Sequence, residues 1–354
     1  MSPKADERSV RLSICITTFN RGAFIGATLD SILKQATPDC EVVIVDGGST
    51  DCTQQLVLRY AQCFGNLRYI RRDTNNGFDH DLNYAVEASN GEYCWLMTDD
   101  DLLKSGAVEA VLRAIRPEVS LVMVNAEVRT LNLEKVLQER WIELHCDRVW
   151  NPSEMDQLAM EAAAILRYAG CFIIRKSIWL SREKEPYYGT LFAYLGVIFQ
   201  SHLPNPAVML AQPFIMYRMG NTHTFSTKIF ETFMVNLPSL VWSLPTLSDE
   251  TKIRVCHCSA EPWRDFRELL LFRGMGSYSL NHYRRLIRPR LRSLRDAVGP
   301  SLAALLPGVL VNTFFVLYFA STRRRYRGMW GSEMMLQNLR ASPFYFRNIR
   351  LFPH

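Results

Sequence analysis

The sequence predicts an α/β fold: a mostly parallel sheet flanked by helices, followed by a helical C-terminal extension. Three features point to it. Between residues 12 and 126, strand-like and helix-like segments alternate strictly. The strand-like segments are short apolar runs, the kind that a parallel sheet buries on both faces. From about Thr227 the pattern turns helical and aromatic, with prolines at 238, 245, 262, 289, 300 and 307.

Leu12–Thr17 reads as the first strand. Arg21–Gln35 follows with apolar residues at 24, 25, 29, 32 and 33, one face of a helix. Glu41–Val45 is the second strand. After it, DGGSTD at 46–51 makes a tight turn, and Ser49 or Thr50 is placed to cap a helix running to Phe64. Leu67–Arg71 is a third strand and His80–Ser89 a third helix. Glu92–Met97 is a fourth strand, Gly106–Ile115 a helix and Leu121–Val124 a fifth strand. Alternating βα units imply right-handed crossovers. Further on, the pattern predicts a hairpin around Val128–Leu144, a helix over Ser153–Leu166, a strand at Gly170–Ile174 and a helix over Leu191–Phe199.

The chain has 354 residues, 48% of them hydrophobic and 21% charged, enough for a globular core in one large or two ordinary domains. Net charge is +6, but arginines crowd the C-terminal part: Arg284, Arg285, Arg288, Arg290, Arg292 and the run Arg323–Arg327. That asymmetry calls for an anionic partner, a membrane surface or a nucleic acid. The polar N-terminus predicts no secretory signal. Nine cysteines lack framework spacing, and Cys15, Cys94 and Cys171 sit in apolar runs, so reduced thiols are expected. Cys256-His-Cys258 resembles half of a zinc site without the other half.

Three loops after parallel strands open on one sheet edge: TTFN at 17–20, DGGSTD at 46–51 and TDDD at 98–101, with NNGFD at 75–79 between them. Adjacent Asp99, Asp100 and Asp101 repel one another unless a hard divalent cation on phosphate oxygens relieves them. Glycines such as Gly48 let backbone approach a ligand. Asp46 can accept hydrogen bonds from a nucleobase or ribose. A dinucleotide fingerprint GxGxxG and a P-loop are both missing. The residues therefore suggest a nucleotide site built on carboxylates and metal.

Leu12 to about Val124 resembles the family-2 glycosyltransferases of the GT-A fold. ICITTFN at 14–20, VIVDGGSTD at 43–51, NNG at 75–77 and TDDD at 98–101 carry the resemblance in the family's order. GEYCWLMTDDD at 91–101 and GCFIIRKSIW at 170–179 look like the bacterial abequosyltransferase-like subgroup, which builds lipopolysaccharide O-antigen. The resemblance implies a hexosyl- or deoxyhexosyl-transferase with a nucleotide-diphosphate sugar donor, a lipid-linked glycan acceptor and Mn2+ or Mg2+. Thr18 and Asp46 would then touch base and ribose, with Asn20, Gly48, Asn76 and Gly77 in the same donor loops. Asp99, Asp100 and Asp101 would contact ribose and metal. Thr98 stands where the family commonly has Asp, which leaves the metal ligand open between Asp99 with Asp101 and Asp100. Arg218 and His223 match a loop that closes over the pyrophosphate. The family's catalytic carboxylate is expected near Tyr187–Phe199, which has none. Either Glu183 or Glu185 is the base, or the leaving diphosphate takes the proton and configuration is retained. A nucleotidyltransferase and a non-catalytic scaffold are the rival readings.

By this reading residues 1–225 form the catalytic domain, with a nucleotide-binding half at 11–126 and an acceptor half at 127–225. Residues 226–354 form a helical, basic and aromatic membrane-associating region. Ser301–Ala320 is uncharged for twenty residues and flanked by arginines. That favours an interfacial or re-entrant segment at the cytoplasmic face of the inner membrane, ahead of a full span, and lipid over nucleic acid.

Overall fold

The computed structural model describes residues 10–220, 228–256, 261–321 and 331–348. The first strands and helices fall where the periodicity puts them, apart from a two-residue strand at Leu102–Leu103 that it does not predict. They are β1 (Leu12–Thr18), α1 (Ile25–Leu33), β2 (Cys40–Asp46), α2 (Thr53–Cys63), β3 (Leu67–Arg71), α3 (Phe78–Ala88), β4 (Tyr93–Met97), β5 (Leu102–Leu103), α4 (Ala107–Ala114) and β6 (Leu121–Arg129). Every residue of β1, β2 and β4 is buried. The expected hairpin exists as β6 paired antiparallel with β7 (Val136–Gln138). Then come β8 (Arg148–Trp150), α5 (Met155–Glu161), β9 (Phe172–Arg175), α6 (Lys176–Ser181), α7 (Ala193–Phe199) and β10 (Ala207–Arg218).

These strands form one sheet in the order β3-β2-β1-β4-β9-β6-β10-β5, with β7 on β6 and β8 on β10. β1 runs parallel to both β2 and β4. The strand order therefore reverses direction at β1, and such a switch point opens a crevice at the carboxyl ends of the strands. β9 is antiparallel to its neighbours β4 and β6.

Three expectations need correction. The twelve-residue β10 was not anticipated as a strand. Pro213 interrupts it, and proline argues against a central strand. The ladder accommodates it with register shifts on both sides of Pro213. The helix expected over Ser153–Leu166 is a short turn of 3-10 helix at Pro152–Glu154 followed by α5, which ends at Glu161. Neither Ser49 nor Thr50 caps α2. The N-cap is Cys52, with no side-chain cap bond, and Asp51 just before it accepts from the Thr53 backbone N–H at 2.9 Å.

The chain divides into two compact units. Residues up to Arg129, Leu133–Arg218 and Leu244–Thr251 form one; Thr130–Asn132, Met219–Ser243 and the residues from Lys252 onward form the other. The helices of the C-terminal third are α8 (Ile229–Glu231), α9 (Leu237–Ser243), α10 (Asp249–Cys256), α11 (Phe266–Gly274), α12 (Leu280–His282), α13 (Leu294–Leu305), α14 (Gly308–Ser321) and α15 (Gly331–Ala341). One core gathers Phe230, Phe272, Tyr278 and Ile287. Another gathers Val311, Phe315 and Phe319 of α14 against Met335, Leu336 and Leu339 of α15.

At the amino ends of β1, β2 and β4 a buried network locks the sheet. Ser13 donates to Glu41 at 2.6 Å, and the Gly91 N–H donates to the Ser13 hydroxyl at 2.7 Å. A Cβ on Gly91 would lie 2.6 Å from the Ser13 backbone nitrogen, so no larger residue fits without moving β1. Gly91→Ala is expected to cost about 1–3 kcal/mol, the usual range for overpacking. Urea unfolding measures it, and an unchanged midpoint would show that the strands yield freely.

Candidate active site

The carboxyl ends of β1, β2 and β4 bring three loops together. Asn20 ties the first two. Its backbone adopts a left-handed φ of 55°, and its side-chain oxygen accepts from the Thr50 N–H at 2.8 Å. Its own N–H donates to the Ser49 hydroxyl at 2.8 Å. Gly48 turns the second loop at φ 82°, where a Cβ would press on the Arg72 carbonyl at 3.1 Å. Asp46 is fully buried. Its Oδ1 accepts from the Ser49 N–H and hydroxyl, and its Oδ2 from the Tyr69 hydroxyl. In this structure Asp46 anchors the loop from within. Thr18 is buried too. Its hydroxyl has no hydrogen-bond partner of good geometry, though it lies close enough to Asp99 to favour that residue's charged form.

The third loop holds the aspartates, and the structure gives them unequal surroundings. Asp101 is 1% exposed. Its Oδ2 accepts from Thr98 at 2.7 Å and from the Tyr168 hydroxyl at 2.6 Å, and its Oδ1 accepts from the Arg218 N–H at 2.6 Å. Asp99 lies 3.6 Å from the Arg21 guanidinium and Asp100 3.9 Å from it. Asp100 has the more exposed side chain of that pair, 16% against 11%. Burial and the Asp100 charge push the carboxyls of both Asp99 and Asp101 well above the usual range, against the pull of Arg21 on Asp99 and of the three donors on Asp101. Burial and crowding thus disfavour the charged forms of Asp99 and Asp101 in this structure. Among the described residues, no three His, Cys, Asp or Glu side chains converge as a metal cage. His257 and Cys258, from the half zinc motif, lie outside the described residues.

Arg218 also reaches the loop with its side chain, donating through Nε to the Asp100 carbonyl at 2.8 Å. Both Arg21 and Arg218 lie over the Phe24 ring, at 5.8 and 5.1 Å. His223, expected to act with Arg218, lies outside the described residues. Asn76 accepts from Thr74 at 3.4 Å, and Gly77 starts α3 at φ 88°. Asn76 borders a cleft of about 410 Å3 lined by Arg72, His80, Asn83, Tyr84 and Glu87.

Glu183 and Glu185 are both exposed. The Glu183 backbone binds the Gln200 side chain, and the Glu185 carbonyl accepts from the Tyr188 N–H. The buried carboxylate beside Leu191–Ala193 comes from elsewhere. Asp79 accepts from the Leu191 N–H at 2.9 Å and the Ala193 N–H at 3.1 Å, which fastens the start of α7 and holds Leu191 at φ 70°.

Sequence reasoning overlooked Arg21, Tyr168, Asp79 and Asp81. Arg21 had a signal: it follows the first loop directly, and three carboxylates on the same edge need a cation. Tyr168 had none, because it follows a helix whose end was misplaced. Asp81, on α3, is 4% exposed, and its buried Oδ1 has no hydrogen-bond partner. A Cβ on Gly47 would sit 3.1 Å from its other oxygen, so the carboxyl borders the DGG turn. Burial, aided by Asp46 and opposed by Arg72 and His80, pushes Asp81 up to about 6.

Residues 13–179 match the family model described as Glycosyl transferase family 2. The chain is 22% identical over 231 residues to the abequosyltransferase RfbV of Salmonella typhimurium, covering 61% of this chain and 69% of that protein. It is 40% identical over 91 residues to a PGL/p-HBAD biosynthesis glycosyltransferase of Mycobacterium bovis, 26% of this chain and 36% of that one. The chain thus spans about a third of this mycobacterial relative's length. Among solved structures, residues 1–349 of S. aureus TarS in complex with UDP superpose with a TM-score of 0.55 at 17% identity, over 93% of this chain and 89% of that one. The fold is GT-A, and the match to the family-2 glycosyltransferase model covers residues 13–179.

The unpartnered Asp81 generates a prediction. Its folded pKa lies above its unfolded value, so the folded state holds the proton more tightly. Its stabilising contribution is complete below about pH 4 and is lost as pH rises through about 6. Asp81→Asn cannot titrate. Its stability relative to wild type is expected to rise by on the order of 1–3 kcal/mol between those limits and to stay level above them. Thermal melting across that range checks this, and a difference independent of pH would show that Asp81 ionises without penalty.

Proposed function

We propose that this glycosyltransferase moves a hexosyl or deoxyhexosyl unit from a nucleotide-diphosphate sugar to a lipid-linked oligosaccharide or polysaccharide. The observation that carries this reading is the pairing of Asp99 and Asp100 with Arg21 at the end of β4, beside the switch point of the sheet. The name of the Salmonella relative, an abequosyltransferase, supports a sugar donor. The UDP in the TarS complex supports a nucleotide in this fold.

Asp99 and Asp100 suit a divalent cation, Mn2+ or Mg2+. Their donors are hard oxygens, and such an ion on a nucleotide diphosphate needs only one or two carboxylates beside phosphate and water. When bound, it neutralises charge on the departing diphosphate. Asp101 takes a supporting part, because its oxygens already receive three internal donors. Arg21 adds a fixed positive charge next to Asp99 and Asp100. Asn20 and Gly48 shape the loops that receive the nucleotide.

In the transfer the bond from the anomeric carbon to the diphosphate oxygen breaks, and an acceptor hydroxyl oxygen bonds to that carbon. The hydroxyl proton must leave. Glu183 and Glu185 are exposed carboxylates free to receive it in an inverting reaction; in their absence the departing diphosphate takes it.

Two outcomes test the reading. Asp99→Asn and Asp100→Asn should each lower turnover at least tenfold, about 1.4 kcal/mol, while the fold persists, and EDTA should abolish transfer. Full activity in EDTA would rule out a metal-dependent reaction. For the proton, the product's anomeric configuration by NMR should be inverted if Glu183→Ala or Glu185→Ala abolishes transfer. If both variants keep wild-type rates, neither glutamate is the base.

A further inference from the structure

The C-terminal unit carries an apolar surface left exposed among the described residues. α13 exposes Leu294, Val298, Leu302 and Leu305, which are 91%, 63%, 49% and 65% accessible. α14 exposes Leu310, Phe314 and Leu317, at 68%, 63% and 65%. Within each helix these residues recur at three- and four-residue spacing, so each set forms one stripe. The two helices are joined through Leu306 and exposed Pro307, where the chain bends by 86°. Isolated surface leucines need no explanation, but a contiguous apolar ridge of this size marks an interaction site.

We propose that this elbow is a monotopic membrane-docking wedge, which inserts its outer stripes at the headgroup boundary of an anionic bilayer without crossing it. Together α13 and α14 have the length and composition of a bent span, but two observations favour a wedge over a crossing. No single described helix is long and apolar enough to cross a membrane. α14 has 14 residues, about 21 Å of helix against about 30 Å of hydrocarbon. Its inner face is also committed. Val311, Phe315 and Phe319 pack on α15, and the buried Asn312 amide donates to the Gly274 and Leu339 carbonyls at 3.0 and 2.8 Å. Pulling α14 into a membrane-spanning pose would break those bonds and strip that core.

Charge selects lipid over a second copy of the chain. Arg288, Arg290, Arg292 and Arg295 are exposed in the segment that leads into the ridge. In a symmetric dimer through the ridge, these arginines would approach their own copies. Against anionic headgroups the same charges attract. The reading does not depend on the donor chemistry of the other unit.

The test uses the full-length protein and vesicles of phosphatidylcholine with or without phosphatidylglycerol. Flotation should show at least about tenfold stronger association with the anionic vesicles, and high salt should weaken it. The double variant Leu310→Ser, Phe314→Ser should lose association while keeping its circular dichroism and melting, since both side chains face solvent. Phe314→Trp should blue-shift its emission on adding anionic vesicles. Nucleotide-sugar binding, followed separately, should stay unchanged in the double variant, so failure here and failure of the transferase reading are distinguishable. Equal association of wild type and double variant would overturn the proposal. So would resistance of the bound protein to alkaline carbonate, which marks a span, or a dimer in sedimentation equilibrium that the double variant dissociates.

Discussion

Three adjacent carboxylates at the end of a buried strand are the constraint around which the rest of this site is arranged. Two unit charges about 4 Å apart near a protein surface repel by roughly 4 kcal/mol. A fold cannot carry that at three consecutive positions without separating the groups or supplying partners. This protein does both. Asp101 turns inward to Thr98, Tyr168 and the Arg218 N–H, while Asp99 and Asp100 face Arg21. The two sets of partners come from β1, β4, β10 and the segment before β9, so the loop is pinned from several strands at once.

That pinning explains the sheet order. β4 lies between β1 and β9, and β10 enters the sheet beyond β6. The loop after β1 delivers Arg21. The end of β10 delivers Arg218, whose side chain also holds the Asp100 carbonyl. The first turn of α1 is drawn in as well, because Thr28 donates to the Asp99 carbonyl at 3.1 Å. The backbone of the aspartate loop is thus fixed before any ligand arrives, and preorganisation of this kind places charge where a transferring diphosphate would need it.

β1 to β4, β6 and the helices among them were legible because each is a short apolar run or a 3.6-residue pattern. β10 was not, because Pro213 broke the pattern that the ladder tolerates through its register shifts. The carboxylate loop was legible as composition, three aspartates after a strand. Their division into one anchor held by three protein donors and two groups that face Arg21 was not. It depends on Tyr168, which is 67 residues away, and on Arg218, which is 117 away. Asp46 shows the same limit. Its position in the DGG turn was readable, but its burial under Ser49 and Tyr69 arises from a strand that pairs only in the folded sheet.

Thr98 is the residue that makes the division possible. Where relatives commonly place an aspartate, this chain places a hydroxyl that donates to Asp101 at 2.7 Å and lies 3.1 Å from the Tyr168 hydroxyl. An aspartate at that position would set a second carboxylate against Asp101 inside the protein, with Tyr168 unable to donate to both through its one proton. The threonine instead turns an acceptor into a donor and lets Asp101 be held by protein groups alone. Asp99 and Asp100 are then left facing Arg21, at 3.6 and 3.9 Å.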